Sequence, residues 1–150
     1  DKASFSIGVS GYPEKHFESP NLLNDVRWVK KKVDAGADYI VTQMFFDNAH
    51  YFRFVEMCRA EGVDVPIIPG LKVLDRKRHL RSIPSAFHCE IPAPLADEVE
   101  KAKKGEVREI GVEWALNQAQ ELIDKGVPSV HFYVMQSSVT INKLLARLKV

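Results

Sequence analysis

Cysteine is scarce in this sequence: Cys58 and Cys89 are the only two in 150 residues, and neither sits in a CxxC or Cys/His ligand spacing. A disulfide framework is therefore excluded, no metal site is expected, and both thiols are expected to be buried and free in a reduced, cytoplasmic setting. Charge of one sign is lacking as well. Lys and Arg total 21 against 20 Asp and Glu, and a net charge of +1 supplies none of the field that recruits nucleic acid or an anionic membrane surface. Long apolar runs are missing too, since stretches such as 39–41 and 44–46 stop far short of the roughly 20 residues that span a bilayer. Neither a P-loop nor GxGxxG occurs, and no Ser/His/Asp set is evident.

What is present is the make-up of a globular domain, 45% hydrophobic and 27% charged. Residues 5–9 read as a strand, followed by a loop over 10–21 in which Ser19-Pro20 resembles a helix N-cap with proline in the first turn. Leu22, Val26, Val29 and Val33 then build one apolar helical stripe. Residues 39–46 are apolar enough to predict a strand buried on both faces. Asp47 and Asn48 are good caps for a helix burying Phe52, Val55 and Met57 or Cys58. A third strand is expected over 66–70, then a basic helix within 72–81 capped by Asp75 and ended by proline. Helices over 95–104 and 106–125 precede a strand at 130–135 and a last helix carrying Ile141, Leu144, Leu145 and Leu148.

One unit recurs three times: a helix, a glycine (Gly36, Gly62, Gly126), then a strand. A helix packed back over a parallel sheet must stop sharply, and glycine with positive φ allows this at little steric cost. With the first strand counted, four strands imply parallel pairing, in either a small doubly wound sheet or half of an eight-stranded βα barrel, whose full form needs about 250 residues. The start at Asp1 then reads as a cut between barrel strands.

In both architectures ligands bind beyond the carboxyl ends of the strands. Gln43 stands at such an end, where its carboxamide can offer a donor and an acceptor to a heterocycle or bond to loop backbone. Tyr12 can stack on an aromatic ligand or cover the core rim, and His16 can touch a ligand or remain a solvated loop histidine. Lys31 and Lys32 belong to a basic run that is either a solvated helix face or a contact for a diphosphate, with Asp25 placed to accept from a ribose hydroxyl. Asp47 reads as a cap, His131 as a satisfied sheet histidine, and His79 with its basic neighbours as a solvated helix or a contact to an anionic tail.

The segments YPEKH from Tyr12, KKKVDAGADYIVTQMFFD from Lys30, IIPG from Ile67 and HFYVM from His131 together resemble the 5,10-methylenetetrahydrofolate reductase family. The resemblance implies an α/β fold, the C-terminal half of a (βα)8 TIM barrel, with residues 1–150 supplying strands five to eight of one catalytic domain. It implies an FAD-dependent oxidoreductase that reduces methylenetetrahydrofolate to methyltetrahydrofolate with NADH or NADPH. On this likeness Tyr12 and His16 fall on flavin-contacting positions, and Asp25, Lys31 and Lys32 on positions holding the adenosine and diphosphate. Gln43 falls on the folate-binding glutamine. The family's catalytic Glu and its flavin-tuning Asp belong to the other half, so no catalytic residue is expected here. Trp28 stands where some members carry a polar cofactor contact, His79 where some carry Gln, and Gln136-Ser137 where an Asn-Arg pair is frequent. An alternative expectation is a non-catalytic half-barrel that self-associates through its open edges, since two free sheet edges drive pairing.

Overall fold

The computed structural model describes residues 5–134 and 138–149. Its order is β1 (Gly8–Gly11), α1 (Leu22–Asp34), β2 (Tyr39–Met44), α2 (Asn48–Ala60), β3 (Ile67–Leu71), α3 (His79–Phe87), α4 (Ala93–Lys101), α5 (Val107–Asp124), β4 (His131–Phe132) and α6 (Val139–Leu145). All strand pairs are parallel and the sheet order is β1-β2-β3-β4. A doubly wound sheet reverses direction at a switch point, whereas strands laid down in sequence order are the arrangement of part of a βα barrel. The glycines that end α1, α2 and α5 adopt the left-handed conformation, with φ of 110° at Gly36, 75° at Gly62 and 77° at Gly126.

One core lies between the sheet and helices α1, α2 and α5, where Val26, Val29, Ile40, Phe45, Phe54, Cys58, Ile67 and Leu122 are buried. A second joins Met44, Phe46, Leu74, Ile83, Cys89, Leu95 and Val99 at the carboxyl end of the sheet. Both thiols are buried and free, and desolvation pushes each up to about 12.

The structure corrects several sequence expectations. The first strand begins at Gly8, because its partner strand begins at Tyr39 and the register pairs those two residues, so Phe5 and Ile7 lie outside the ladder and are exposed. Asn21, not Ser19, caps α1, its Oδ1 accepting the Asn24 N–H at 3.0 Å. The basic helix starts only at His79, and Pro84 lies inside it. In a nine-residue helix that proline forgoes a single backbone bond, and the helix stops instead at His88, which takes the left-handed conformation at φ 55°. Helix α4 starts earlier than predicted because Pro92 stands at its N-cap and Pro94 fits its first turn.

The second strand is buried on one face only. Ile40, Thr42 and Met44 are buried, while Tyr39, Val41 and Gln43 alternate with them and are half-exposed. Gly8 and Ser10 of β1, which pair with Tyr39 and Val41, are exposed on that same side. The sheet is thus covered by helices on one face and open on the other, which in a closed barrel is the filled interior.

Candidate functional site

The loop after β1 is built around two anchors. Asp25, in the first turn of α1 and only 7% exposed, accepts the His16 backbone N–H on Oδ2 at 2.6 Å and the Ser19 hydroxyl on Oδ1 at 2.5 Å. Lys15 works from the other side, donating through Nζ to the carbonyls of His16 at 2.9 Å, Ser19 at 2.8 Å and Phe17 at 3.3 Å. A non-glycine residue at φ 99°, as Lys15 is, persists only where neighbours hold it, and these three bonds do so.

The folded loop and one stripe of α1 enclose a groove of about 380 Å³. Tyr12, His16, Asp25 and Lys32 all line it, together with Ser10, Trp28 and Val29. Residues 25, 28, 29 and 32 share a helical face because they are three, four and seven positions apart. The Tyr12 and His16 rings meet edge-on at 4.7 Å, and Lys32 Nζ donates to the Ser10 carbonyl at 3.1 Å. Four of the predicted site residues are therefore brought together. Lys31 is not among them, because it projects from the next helical position and its ammonium lies 4.2 Å from the Trp28 ring centroid.

Gln43 lies on the open face of β2, outside that groove. Its Oε1 accepts the Met44 N–H at 2.9 Å, which leaves the NH2 end without a partner among the described residues. A second cavity, about 250 Å³, opens beyond the ends of β3 and β4 between Lys72, Asp75, Arg76 and His79 on one side and Phe132, Tyr133 and Ile141 on the other. The Tyr133 hydroxyl donates to the Thr42 carbonyl at 2.8 Å and so ties this cavity to the end of β2. Burial lowers the Lys72 ammonium, with Asp75 opposing the shift, and burial likewise lowers His79. Asp47 caps α2 by accepting the Ala49 N–H at 2.9 Å, and His131 is exposed with its ring edge-on to Tyr133 at 4.5 Å. Gln136 and Ser137 lie outside the described residues.

Sequence reasoning passed over Glu14 and Lys15 within the YPEKH segment. Only its contacts distinguish Glu14: its Oε2 accepts the Glu90 N–H at 2.7 Å, while Oε1 is buried without a hydrogen bond, 3.9 Å from His50 Nε2. Desolvation raises its carboxyl above the usual range, reinforced by Glu90 and Asp47 and opposed by the Glu90 N–H and His50. A carboxyl raised on folding binds more protons in the native state, so its burial penalty is absent below the unfolded value of 4.5 and grows as pH rises through the raised folded value. Glu14→Gln is accordingly expected to melt above the parent at pH 7, with the advantage vanishing near pH 4.5, as read by thermal unfolding across that range.

The methylenetetrahydrofolate reductase family model matches residues 2–149. A probable methylenetetrahydrofolate reductase (NADPH) of Caenorhabditis elegans is 35% identical, over 96% of this chain and 22% of its own. Methylenetetrahydrofolate reductase (NADH) 1 of Arabidopsis thaliana is 34% identical, over 87% of this chain and 24% of its own. This chain thus spans about a quarter of the length of these relatives. A solved structure from Clostridium thermocellum, of a protein described as binding two copies of 5-methyl-5,6,7,8-tetrahydrofolic acid, superposes with a TM-score of 0.63 at 17% identity, over 94% of this chain and 51% of that one, and shares its fold. The matched family covers the groove, the open face of β2 and the cavity beyond β3 and β4 alike, and the chain belongs to the methylenetetrahydrofolate reductase family.

Proposed function

We propose that this chain is the C-terminal half of a methylenetetrahydrofolate reductase catalytic barrel, and that it holds FAD in the β1–α1 groove and folate at the Gln43 end. The observation that carries the reading is the set of groups gathered in one groove at a strand end: the Tyr12 hydroxyl, the His16 ring and the Lys32 ammonium. Tyr12, His16 and the Lys32 cation suit a diphosphate and the polar edge of an isoalloxazine, while of the two carboxylates on the lining Asp25 is engaged by His16 and Ser19 and Glu18 lies 3.7 Å from His16 Nδ1, so the residues present fit the group. Bound FAD would supply hydride transfer from NADH or NADPH to the folate.

The protein's own residues bind and orient. Lys32 would set its ammonium against the diphosphate, with Tyr12 and His16 along the flavin. Asp25 holds the loop that carries both rings, since its two oxygens are engaged by His16 and Ser19. Gln43 would donate from its NH2 group to the pterin. No residue of this chain is assigned as the catalytic acid.

Purified at its natural length, the protein is expected to carry the visible absorbance of a flavin and to rebind FAD after stripping. Lys32→Ala is expected to weaken FAD about tenfold, the worth of one charge-assisted hydrogen bond. Colourless protein that takes up no FAD would overturn the proposal, as would unchanged affinity in the lysine variant.

A second reading has its own support. Ile7, just before β1, is 52% exposed and Val134, just beyond β4, is 48% exposed, so exposed apolar side chains flank both outer strands of the sheet. On this reading the chain is a half-barrel that pairs with itself or with another half, and light scattering on the purified protein separates a monomer from a dimer.

A further inference from the structure

Helix α3 separates two spaces. Its Ile83 and Phe87 line the cavity beyond β3 and β4, while its Leu80 and Pro84 line a groove of about 950 Å³ with α4 on the far side. Arg78 and Ser82, one turn apart, line both, so the two spaces adjoin across that turn. The cations there are unequally occupied. Lys77 donates to the Glu100 carbonyl, and Arg76 Nε lies 3.9 Å from Asp75 Oδ1, which is also 3.4 Å from His79 Nδ1. Among the described residues no hydrogen bond or ion pair engages the guanidinium of Arg78 or Arg81, and both residues are exposed. The carboxylates on the groove lining, Glu90 and Glu100, come from chain beyond α3, which leaves the α3 wall cationic. A solvated helix face accounts for arginines singly, not for two left unpaired beside a turn that two cavities share. The arginine fork is suited to carboxylates, which it binds through paired N–H donors.

We propose that Arg78 and Arg81 take the γ-glutamyl tail of a folate whose pterin lies at Gln43. The Tyr133 bond to the Thr42 carbonyl joins the Gln43 end of β2 to the cavity beyond β3 and β4. The tail thus has a continuous course through that cavity, over Arg78 and into the outer groove at Arg81. The proposal rests on the folate reading above and deepens it by naming the substrate class: folates carrying several glutamyl residues over those carrying one. A helix with its side chains is about 10–12 Å across, a span that about three glutamyl units cover. With the first unit inside the cavity, the second and third bring their carboxylates to the two guanidinia.

The test measures binding of 5-methyltetrahydrofolate with one and with three γ-linked glutamyl residues. It compares the natural-length protein with the double variants Arg78→Ala, Arg81→Ala and Lys103→Ala, Lys104→Ala. All four side chains are on exposed residues, so neither variant is expected to disturb folding. The parent is expected to bind the triglutamyl form about tenfold more tightly than the monoglutamyl form, the worth of two partly screened ion pairs, and the gain should shrink as salt rises. The arginine variant should lose that gain and keep its affinity for the monoglutamyl form. The lysine variant removes the same charge outside both spaces and should keep the gain. Equal affinity of the parent for the two forms, a gain that survives in the arginine variant, or an equal loss in the lysine variant would overturn the tail site. Parent protein that binds neither form would overturn the proposed function instead. In that case p-aminobenzoyl-triglutamate, which has the tail without the pterin, still decides the role of the two arginines: binding by the parent and not by the arginine variant supports it, and no binding by either removes it.

Discussion

Gly111→Ala is expected to destabilise the protein by about 2–4 kcal/mol, lowering its melting temperature by about 5–15 °C. Helix propensity alone predicts the opposite, because alanine in a helix interior is favoured over glycine by about 1 kcal/mol. Packing decides the sign. A Cβ at Gly111 would stand 1.8 Å from the carbonyl oxygen of Leu74 and 2.6 Å from its carbonyl carbon, and these are backbone atoms that no rotamer change can clear. Leu74 itself is 1% exposed and belongs to the buried cluster at the carboxyl end of the sheet, so the strain passes into packed core. It also reaches the cavity beyond β3 and β4, which Val73 and Asp75, the neighbours of Leu74, line. Thermal unfolding of the alanine variant checks this, and a melting temperature at or above the parent's would show that α5 does not rest on that loop.

The same contact explains what was legible in the sequence. The recurrent helix, glycine and strand could be read because its signals are local: periodic apolar residues, then a glycine whose positive φ ends the helix at Gly36, Gly62 and Gly126. The buried face of α5 could not be read in full. Hydrophobic spacing points to Val107, Ile110, Trp114, Leu122 and Ile123; Val107 and Leu122 are buried, but the other three are half-buried, while Gly111, Val112, Ala115 and Ala119 complete the seat. Small residues there allow close backbone approach, which carries no weight in an apolar count. Polar contacts complete that seat, with Asn48 Nδ2 donating to the Gln118 carbonyl at 3.0 Å and Gln118 Nε2 to Asn48 Oδ1 at 3.2 Å. Neither pairing has a sequence signal, because the partners lie 70 positions apart.

The candidate site divides in the same way. Helical spacing predicts that residues 25 and 32 share a face, and both line the groove. A run of three lysines, by contrast, says nothing about which one faces inward, and only the helix phase set by buried Val26 and Val29 turns Lys32 toward the groove and Lys31 onto Trp28. Pro84 departs from expectation for a related reason: a proline predicts a helix stop, but burial of Ile83 against the second core holds the turn in place around it.

Asp25→Ala is the other substitution expected to have a large effect, and it separates two roles for that carboxylate. A residue whose task is only to receive a ribose hydroxyl could be truncated without harm to the ligand-free protein. The observed bonds predict otherwise. Alanine would leave the His16 N–H and the Ser19 hydroxyl without the acceptors they now have, each omission costing about 1–3 kcal/mol where the group stays shielded from water. The ligand-free variant is therefore expected to lose about 2–4 kcal/mol, and backbone amides between 12 and 19 should exchange with solvent faster. Asp25→Asn should do much less harm, about 1 kcal/mol, since an amide oxygen can still accept from His16 and its NH2 can donate to Ser19 Oγ. Cofactor affinity should follow the same order, because Tyr12 and His16 reach the groove only while the loop is closed. A ligand-free Asp25→Ala protein that melts with the parent would return the carboxylate to a purely ligand-facing role. Loss of stability that precedes any ligand would instead make Asp25 the residue on which the shape of the groove depends.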